Sequence, residues 1–364
     1  MGNTIFAAQA ADDIQTFGRV MPDPDGKALW FNWTASGFAL RFRGSTLRVC
    51  LRGMPQEMTA PFLTEHIMMH PVIGVHVDGG ELQRFSLGEG EQELCLFDGP
   101  EGEHTVELRK LSENVMGKCA LISAETDGAF LPPPKSPKLR IEIAGDSITC
   151  GYGNEGTEPG LRTEEENAEL TYGFLAAEAL GADYSAVCVS GCGICDPSCF
   201  PELKNRGMDS LYPFTDAPLD RALSGEPVTR WDFASHPADA VVLSLGTNDA
   251  LEIAGCGFTE ESFRRFRREY RALLESIRRC NGEKSWIICA LGPMEYYLWD
   301  EILELVRTYM KDTGDTRVKT LKFGLINKAL EGLGADGHPS VSTHRRMGTE
   351  LADFLRPLLT ETGV

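Results

Sequence analysis

Residues 141–153 read Ile-Glu-Ile-Ala-Gly-Asp-Ser-Ile-Thr-Cys-Gly-Tyr-Gly. A short apolar run breaks at Gly145-Asp146-Ser147 and passes into small, turn-forming residues, so the chain is expected to leave a buried strand and turn sharply. Ser147 then stands at the carboxyl end of that strand, where ligands and reactive groups collect in open α/β sheets. A serine hydroxyl is a weak nucleophile until a base removes its proton. A functional Ser147 therefore needs a base, and donors for the anion that attack on a carbonyl creates.

The base is available near the C-terminus. Ala335-Asp336-Gly337-His338-Pro339-Ser340 places an acid two residues before a histidine, in a loop punctuated by Gly and Pro ahead of a final helix. A loop allows both side chains to turn toward one point, which a helix or a strand at that spacing does not. A histidine near its ordinary pKa accepts the serine proton and later returns it to a leaving alcohol. A carboxylate beside it fixes the tautomer and stabilises the imidazolium. The competing reading makes Asp336 the cap of the next helix and His338 a surface loop residue.

Two further apolar strands end in the same manner. Val241-Val242-Leu243-Ser244-Leu245-Gly246-Thr247-Asn248-Asp249 finishes on a Gly and an Asn whose amide can donate to an oxyanion. Residues 184–193, Tyr-Ser-Ala-Val-Cys-Val-Ser-Gly-Cys-Gly, open onto Gly191, whose backbone N–H is unobstructed. Donors preorganised around the charge of a tetrahedral intermediate contribute factors of about 10²–10³ each. Three strand ends thus offer the Ser147 N–H, the Gly191 N–H and the Asn248 side chain. A lone Gly after a strand marks only a turn, so the joint occurrence carries the inference. Asp146 and Asp249 read as structural neighbours of the nucleophile and of Asn248.

The four blocks Gly-Asp-Ser, Ser-Gly-x-Gly, Gly-Thr-Asn-Asp and Asp-x-His-Pro, in this order, resemble those of the SGNH (GDSL-type) hydrolases. The resemblance implies a flavodoxin-like α/β esterase without metal or organic cofactor, with Ser147 as nucleophile, Gly191 and Asn248 as oxyanion donors and His338 as base. Most of that superfamily spaces acid and base as Asp-x-x-His. The shorter Asp336-x-His338 looks like the two-domain carbohydrate esterase family 2, acetyl esterases acting on plant polysaccharides. In that group the acid is not always present, and a main-chain carbonyl can orient the histidine instead.

Four prolines within residues 132–137 favour an extended linker and cannot continue a helix or strand ladder. The expected division is residues 1–131, a Pro-rich linker at 132–138, and residues 139–364. Before the linker, period-2 segments (Phe38–Arg43, Leu47–Arg52, Val72–Val77, His104–Arg109) alternate with turn signals such as Gly44-Ser45, which reads as an antiparallel β-sandwich. Segments 18–20, 33–38, 77–79 and 102–106 resemble the jelly-roll module of the same esterase family. After the linker, apolar strands alternate with helical stretches such as residues 259–279, the pattern of a parallel sheet with covering helices.

With 364 residues, 42% hydrophobic and 24% charged, the composition is that of an ordinary globular protein. A net charge of −19 argues against nucleic acid, whose phosphates would be repelled. It does not oppose a neutral sugar. The runs Glu164–Glu166 and Arg264-Arg265 with Arg267-Arg268 read as solvated helix faces. No apolar run is long enough to span a bilayer, and residues 1–4, Met-Gly-Asn-Thr, lack the basic-then-apolar pattern of a secretory signal. Eleven cysteines, several inside apolar runs, suit a reducing cytoplasm better than a disulfide framework. Cys192, Cys195 and Cys199 suggest zinc only weakly, since no second pair or histidine follows at ligand spacing.

Aromatic rings after the strand Trp286–Ala290, namely Tyr296, Tyr297 and Trp299, are candidates for stacking on a sugar, as is Trp231. The alternative places them in the helical core. The expected activity is removal of O-acetyl groups from carbohydrates such as xylan or mannan through an acyl-enzyme on Ser147. The competing possibilities are a lipase or lysophospholipase, and a glycan-binding protein that has lost activity. The expected partner is the acetylated carbohydrate, with no nucleic acid and no membrane; no residue pattern specifies an oligomeric state.

Overall fold

Alternating burial runs through Gly37–Met54, one strand of 18 residues in which Phe38, Leu40, Phe42, Leu47, Val49 and Leu51 are all buried. It pairs antiparallel with Gly90–Lys110 along one side. On the other side it pairs with Lys118–Thr126 at one end, and with Ile14–Phe17 and Ala129–Leu131 at the other. Val72–Val77 and Gln83–Ser86 extend the sheet beyond Gly90–Lys110. The N-terminal unit is thus an antiparallel sheet folded about one apolar core. The break expected at Gly44-Ser45 does not occur. The Asp127 carboxylate accepts the N–H groups of Ser45 and Thr46 at 2.8 and 3.0 Å, so these groups stay paired where the ladder to Gly90–Lys110 shifts register.

This computed structural model describes residues 3–6, 13–23, 25–58, 67–160, 162–197, 204–227 and 229–360. The chain divides into residues 1–137 with 162–164, and residues 138–161 with 165–364. The boundary falls inside the proline-rich stretch, because Ala129–Leu131 is still a sheet strand and residue 138 already leads into the next unit.

The second unit holds five parallel strands, β1 (Arg140–Gly145), β2 (Asp183–Cys188), β3 (Ala240–Ser244), β4 (Trp286–Leu291) and β5 (Val318–Lys322). Their order in the sheet is β2-β1-β3-β4-β5. Every residue of β2, β3 and β4 is buried, so both faces of the sheet are covered. The nine helices among the described residues are α1 (Ser147–Cys150), α2 (Tyr172–Leu180), α3 (Met208–Leu211), α4 (Ala217–Ser224), α5 (Thr247–Cys256), α6 (Glu260–Asn281), α7 (Trp299–Thr313), α8 (Lys328–Glu331) and α9 (Val341–Thr360). The sheet order is the flavodoxin-like one, in which the chain reverses direction across the sheet at β1 and leaves a crevice between the loops after β1 and β3.

α2 packs on β1, β2 and α9, while α7 packs on β4, β5 and α6. α2 starts at Thr171, whose Oγ1 accepts the Phe174 N–H, and stops at Gly181 in the left-handed region. The arginines of α6 do more than face solvent: Arg265 reaches Glu252 on α5 and Arg267 reaches Glu301 on α7. Glu166, also expected on a solvated face, is buried. Among the described residues Cys256 is disulfide-bonded and nine other cysteines are in no disulfide. Among the described residues no helix is long and apolar enough to cross a membrane.

Ile143 on β1 is fully buried, and its Cδ1 occupies the space beside Gly173 of α2 that a side chain there would need. Ile143→Ala should destabilise the second unit by about 2–5 kcal/mol, the usual cost of such a cavity. Denaturant unfolding checks this, and a loss well under that range would show that α2 can collapse onto β1.

Candidate active site

Gly145, the last residue of β1, pairs with Cys188 of β2 and Ser244 of β3. Neighbouring strands lie about 4.8 Å apart. The three segments that leave this row therefore emerge side by side, carrying Ser147, Gly191 and Asn248. Asp146 caps α1, its Oδ1 accepting the Ile148 N–H at 3.0 Å, and Gly151 closes the helix in the left-handed region. So short a helix fixes Ser147 at its first residue, where 9% of its surface stays open.

His338 lies with its Nε2 2.9 Å from Ser147 Oγ. Its Nδ1 is 3.2 Å from the carbonyl oxygen of Ala335. If Nδ1–H donates to that carbonyl, the Nε2 lone pair is aimed at the serine hydroxyl. Burial lowers the His338 pKa, so the ring is neutral and ready to accept a proton at pH 7. The loop that carries it is tied to the segment after α1: Ala335 N–H donates to Gly153 O at 2.9 Å, and Val341 N–H to Asn154 O at 3.1 Å. Gly153 sits at φ 52°, and a Cβ there would come within 2.4 Å of Ala335 Cβ. Only glycine allows this approach.

The acid assigned from sequence is displaced from that role. Asp336 adopts the left-handed region (φ 52°), and its carboxylate is not the group found at His338 Nδ1. The carboxylate accepts instead from Tyr152 OH at 2.8 Å and from Gly160 N–H at 3.2 Å. The Ala335 carbonyl takes the place at Nδ1 because a single 3₁₀ turn over Ala335–Gly337 brings it round to the ring three residues on. Asp336 still acts on His338 through space, favouring its charged form. Tyr152 was missed in the sequence. Its ring lies against the imidazole, 4.4 Å between centroids and tilted by 39°. The available signal was a tyrosine held between two glycines directly after the nucleophile turn.

Gly191 and Asn248 line one small cleft together with Gly193 and Asp249. Gly191 has φ 80°, a conformation that other residues rarely adopt. The Asn248 amide donates to Cys192 O at 2.9 Å and to Asp146 Oδ2 at 3.3 Å. Asp249, read as structural, accepts the Ile194 N–H with its Oδ1 at 3.0 Å, which pins the Gly191 loop to the start of α5. Burial is the main cause that pushes both Asp146 and Asp249 up to about 7. Desolvation likewise raises Glu295.

The candidate aromatics separate. Tyr296 donates its hydroxyl to Phe323 O and lies under Lys322 Nζ, which also covers Trp299, so both rings pack toward β5. Trp231 stacks on His236, 4.5 Å between ring centroids, in the segment that precedes β3. Its aromatic character is used for packing there. Tyr297, on the segment that follows β4, is 77% exposed and remains open for contact. Of the suspected zinc cluster, Cys192 is buried, Cys195 donates to Glu269 Oε2 at 2.7 Å, and Cys199 lies outside the described residues. Among the described residues no three His, Cys, Asp or Glu side chains converge as a metal site.

Gly153→Ala should lower kcat without large loss of fold, because the added methyl displaces Ala335 and with it the His338 ring. Asp336→Ala should cost clearly less than His338→Ala, which removes a base worth about 10²–10⁴ in rate. Steady-state kinetics of the three variants checks the ranking; equal losses for Asp336→Ala and His338→Ala would restore the carboxylate as essential.

The two units find separate relatives. Residues 16–134 match the family model described as carbohydrate esterase 2 N-terminal, and residues 141–351 match that of the GDSL-like lipase/acylhydrolases. Over 366 residues the chain is 29% identical to the cellulase/esterase CelE of Acetivibrio thermocellus, covering 94% of this chain but 40% of that protein. It is 26% identical to an acetylxylan esterase/glucomannan deacetylase of Cellvibrio japonicus, covering 99% and 92%. The structure of a family two carbohydrate esterase from Clostridium thermocellum in complex with cellohexaose superposes with a TM-score of 0.80 at 28% identity, over 95% of this chain and 99% of that one. The chain therefore belongs to the GDSL-like lipase/acylhydrolases, and in the order of its two units it is similar to the carbohydrate esterases of family 2.

Proposed function

We propose that this protein removes O-acetyl groups from neutral polysaccharides, such as acetylated xylan or glucomannan, or from oligosaccharides derived from them. The observation that carries the chemistry is the 2.9 Å contact between Ser147 Oγ and His338 Nε2 at the carboxyl end of β1. The names of the relatives support the substrate class, and a chain of net charge −19 meets no repulsion from an uncharged sugar.

Ser147 Oγ attacks the acetyl carbonyl carbon while His338 Nε2 takes the hydroxyl proton. The carbonyl oxygen becomes an oxyanion, held by the N–H groups of Ser147 and Gly191 and the amide of Asn248. Collapse breaks the bond to the sugar oxygen, which leaves with the proton from His338. Water then attacks the acetyl-serine by the same route, returning a proton to Ser147 and releasing acetate. The Ala335 carbonyl serves as the orienting group, stabilising the imidazolium as it forms. Because the His338 pKa is lowered, turnover is lost as pH falls through that value and is not limited by this group at pH 7. Tyr297 is the exposed ring offered to a sugar face.

Ser147→Ala should abolish acetate release from acetylated xylan and glucomannan while leaving the thermal transition nearly unchanged. Asn248→Ala should lower kcat by about 10²–10³. Retained activity in the serine variant would remove the nucleophile assignment, and a preference for long acyl esters over acetate would replace the carbohydrate reading with a lipid one.

A further inference from the structure

Asp146 stands immediately before the nucleophile and is 1% exposed. Its two carboxyl oxygens serve different elements. Oδ1 accepts the Ile148 N–H at 3.0 Å and so caps α1, while Oδ2 faces Asn248 Nδ2 at 3.3 Å. The Asn248 amide has two N–H bonds to give. One goes to Cys192 O at 2.9 Å, which also fixes which way round the amide sits. The other is the one an oxyanion at Ser147 needs, and in the resting protein it points at a carboxyl oxygen.

We propose that Asp146 is a positioning residue for deacetylation, releasing the second Asn248 N–H to the oxyanion when its carboxyl is neutral and withholding it when ionised. This rests on the hydrolase reading above, with Asn248 as a donor. An ionised carboxylate accepts about twice as strongly as a neutral group. It also places a like charge next to the developing oxyanion in a water-poor site, where such repulsion is weakly screened. The neutral carboxyl has the same shape and keeps a lone pair for Ile148, so α1 stays capped in both states.

The surroundings bear on which state prevails. The titratable groups facing Asp146 are Asp249 on α5, Glu295 after β4, Cys192 after β2 and Tyr172 on α2. Each is an acid that gains negative charge when it ionises. Burial is the largest cause that pushes the Asp146 carboxyl up to about 7, with Asp249 and Glu295 adding to it. The group therefore changes state in the range where a neutral His338 is already working. A serine–histidine pair alone gives a rate that rises with pH and then levels; Asp146 adds a fall on the alkaline side.

The test is the pH profile of kcat for acetate release by the full chain, for wild type, Asp146→Asn and Asp146→Ser. Serine retains a hydroxyl to cap Ile148, so it covers the case where the asparagine variant does not fold. Wild type should give a bell whose alkaline limb has a midpoint near the value of about 7 set by Asp146. Between pH of about 6 and about 9 a group of that pKa goes from mostly neutral to roughly one part in a hundred neutral. The ratio of variant to wild-type kcat should therefore rise by about tenfold or more over that span. An alkaline limb kept in both variants, or one uniform drop at every pH, would overturn the proposal, the second outcome marking a merely structural residue. Absence of acetate release from wild type at every pH would defeat the hydrolase reading instead.

Discussion

Two backbone hydrogen bonds, from Ala335 N–H to Gly153 O and from Val341 N–H to Asn154 O, join segments from opposite ends of the catalytic unit. The rest of the site depends on them. The sheet fixes Ser147 through β1, but His338 belongs to a loop ahead of the last helix and shares no strand with it. These bonds make the nucleophile turn and the base loop one body. The first needs backbone that neighbouring side chains let approach, which is why a glycine, Gly153, faces Ala335. Tertiary hydrogen bonding here does the work that sequence proximity does in a helix.

The electrostatics of the site follow from dryness rather than from opposite charges. His338 is driven toward neutrality by burial, and so, by the same cause with the opposite sign, are Asp146, Asp249 and Glu295. A medium that resists charge strengthens every dipole aimed at the transition state. Burial thus works against charge on the acids and on the base alike, in the place where the reaction creates it. α5 contributes twice to this arrangement, presenting Asn248 to the cleft and using Asp249 to hold the loop of Gly191.

Much of this was legible in the residues. The runs at 141–145, 184–188 and 240–244 were readable as buried parallel strands because, Glu142 apart, their positions are hydrophobic or small. The turn residues that follow marked Ser147, Gly191 and Asn248, and the final loop marked His338. What escaped depended on contacts across the chain. Nothing local to Asp336 shows that its backbone turns left-handed and delivers the carboxylate to Tyr152. Nothing local to Trp231 shows that its ring stacks on His236. The Gly44-Ser45 pair carried a true turn signal, overridden by a carboxylate from residue 127. Short-range patterns fix what a segment prefers; they do not say which distant group will satisfy it.

The group that orients the imidazole is a main-chain carbonyl, and every amino acid possesses one. Replacing Ala335 by another residue cannot delete it, whereas a carboxylate in the same office would vanish with a single codon change. Fragility has been transferred from the chemical identity of a side chain to the path of the backbone around residues 334–338. What residue 336 must supply there is a backbone able to turn left-handed (φ 52°) rather than a charge at the imidazole Nδ1.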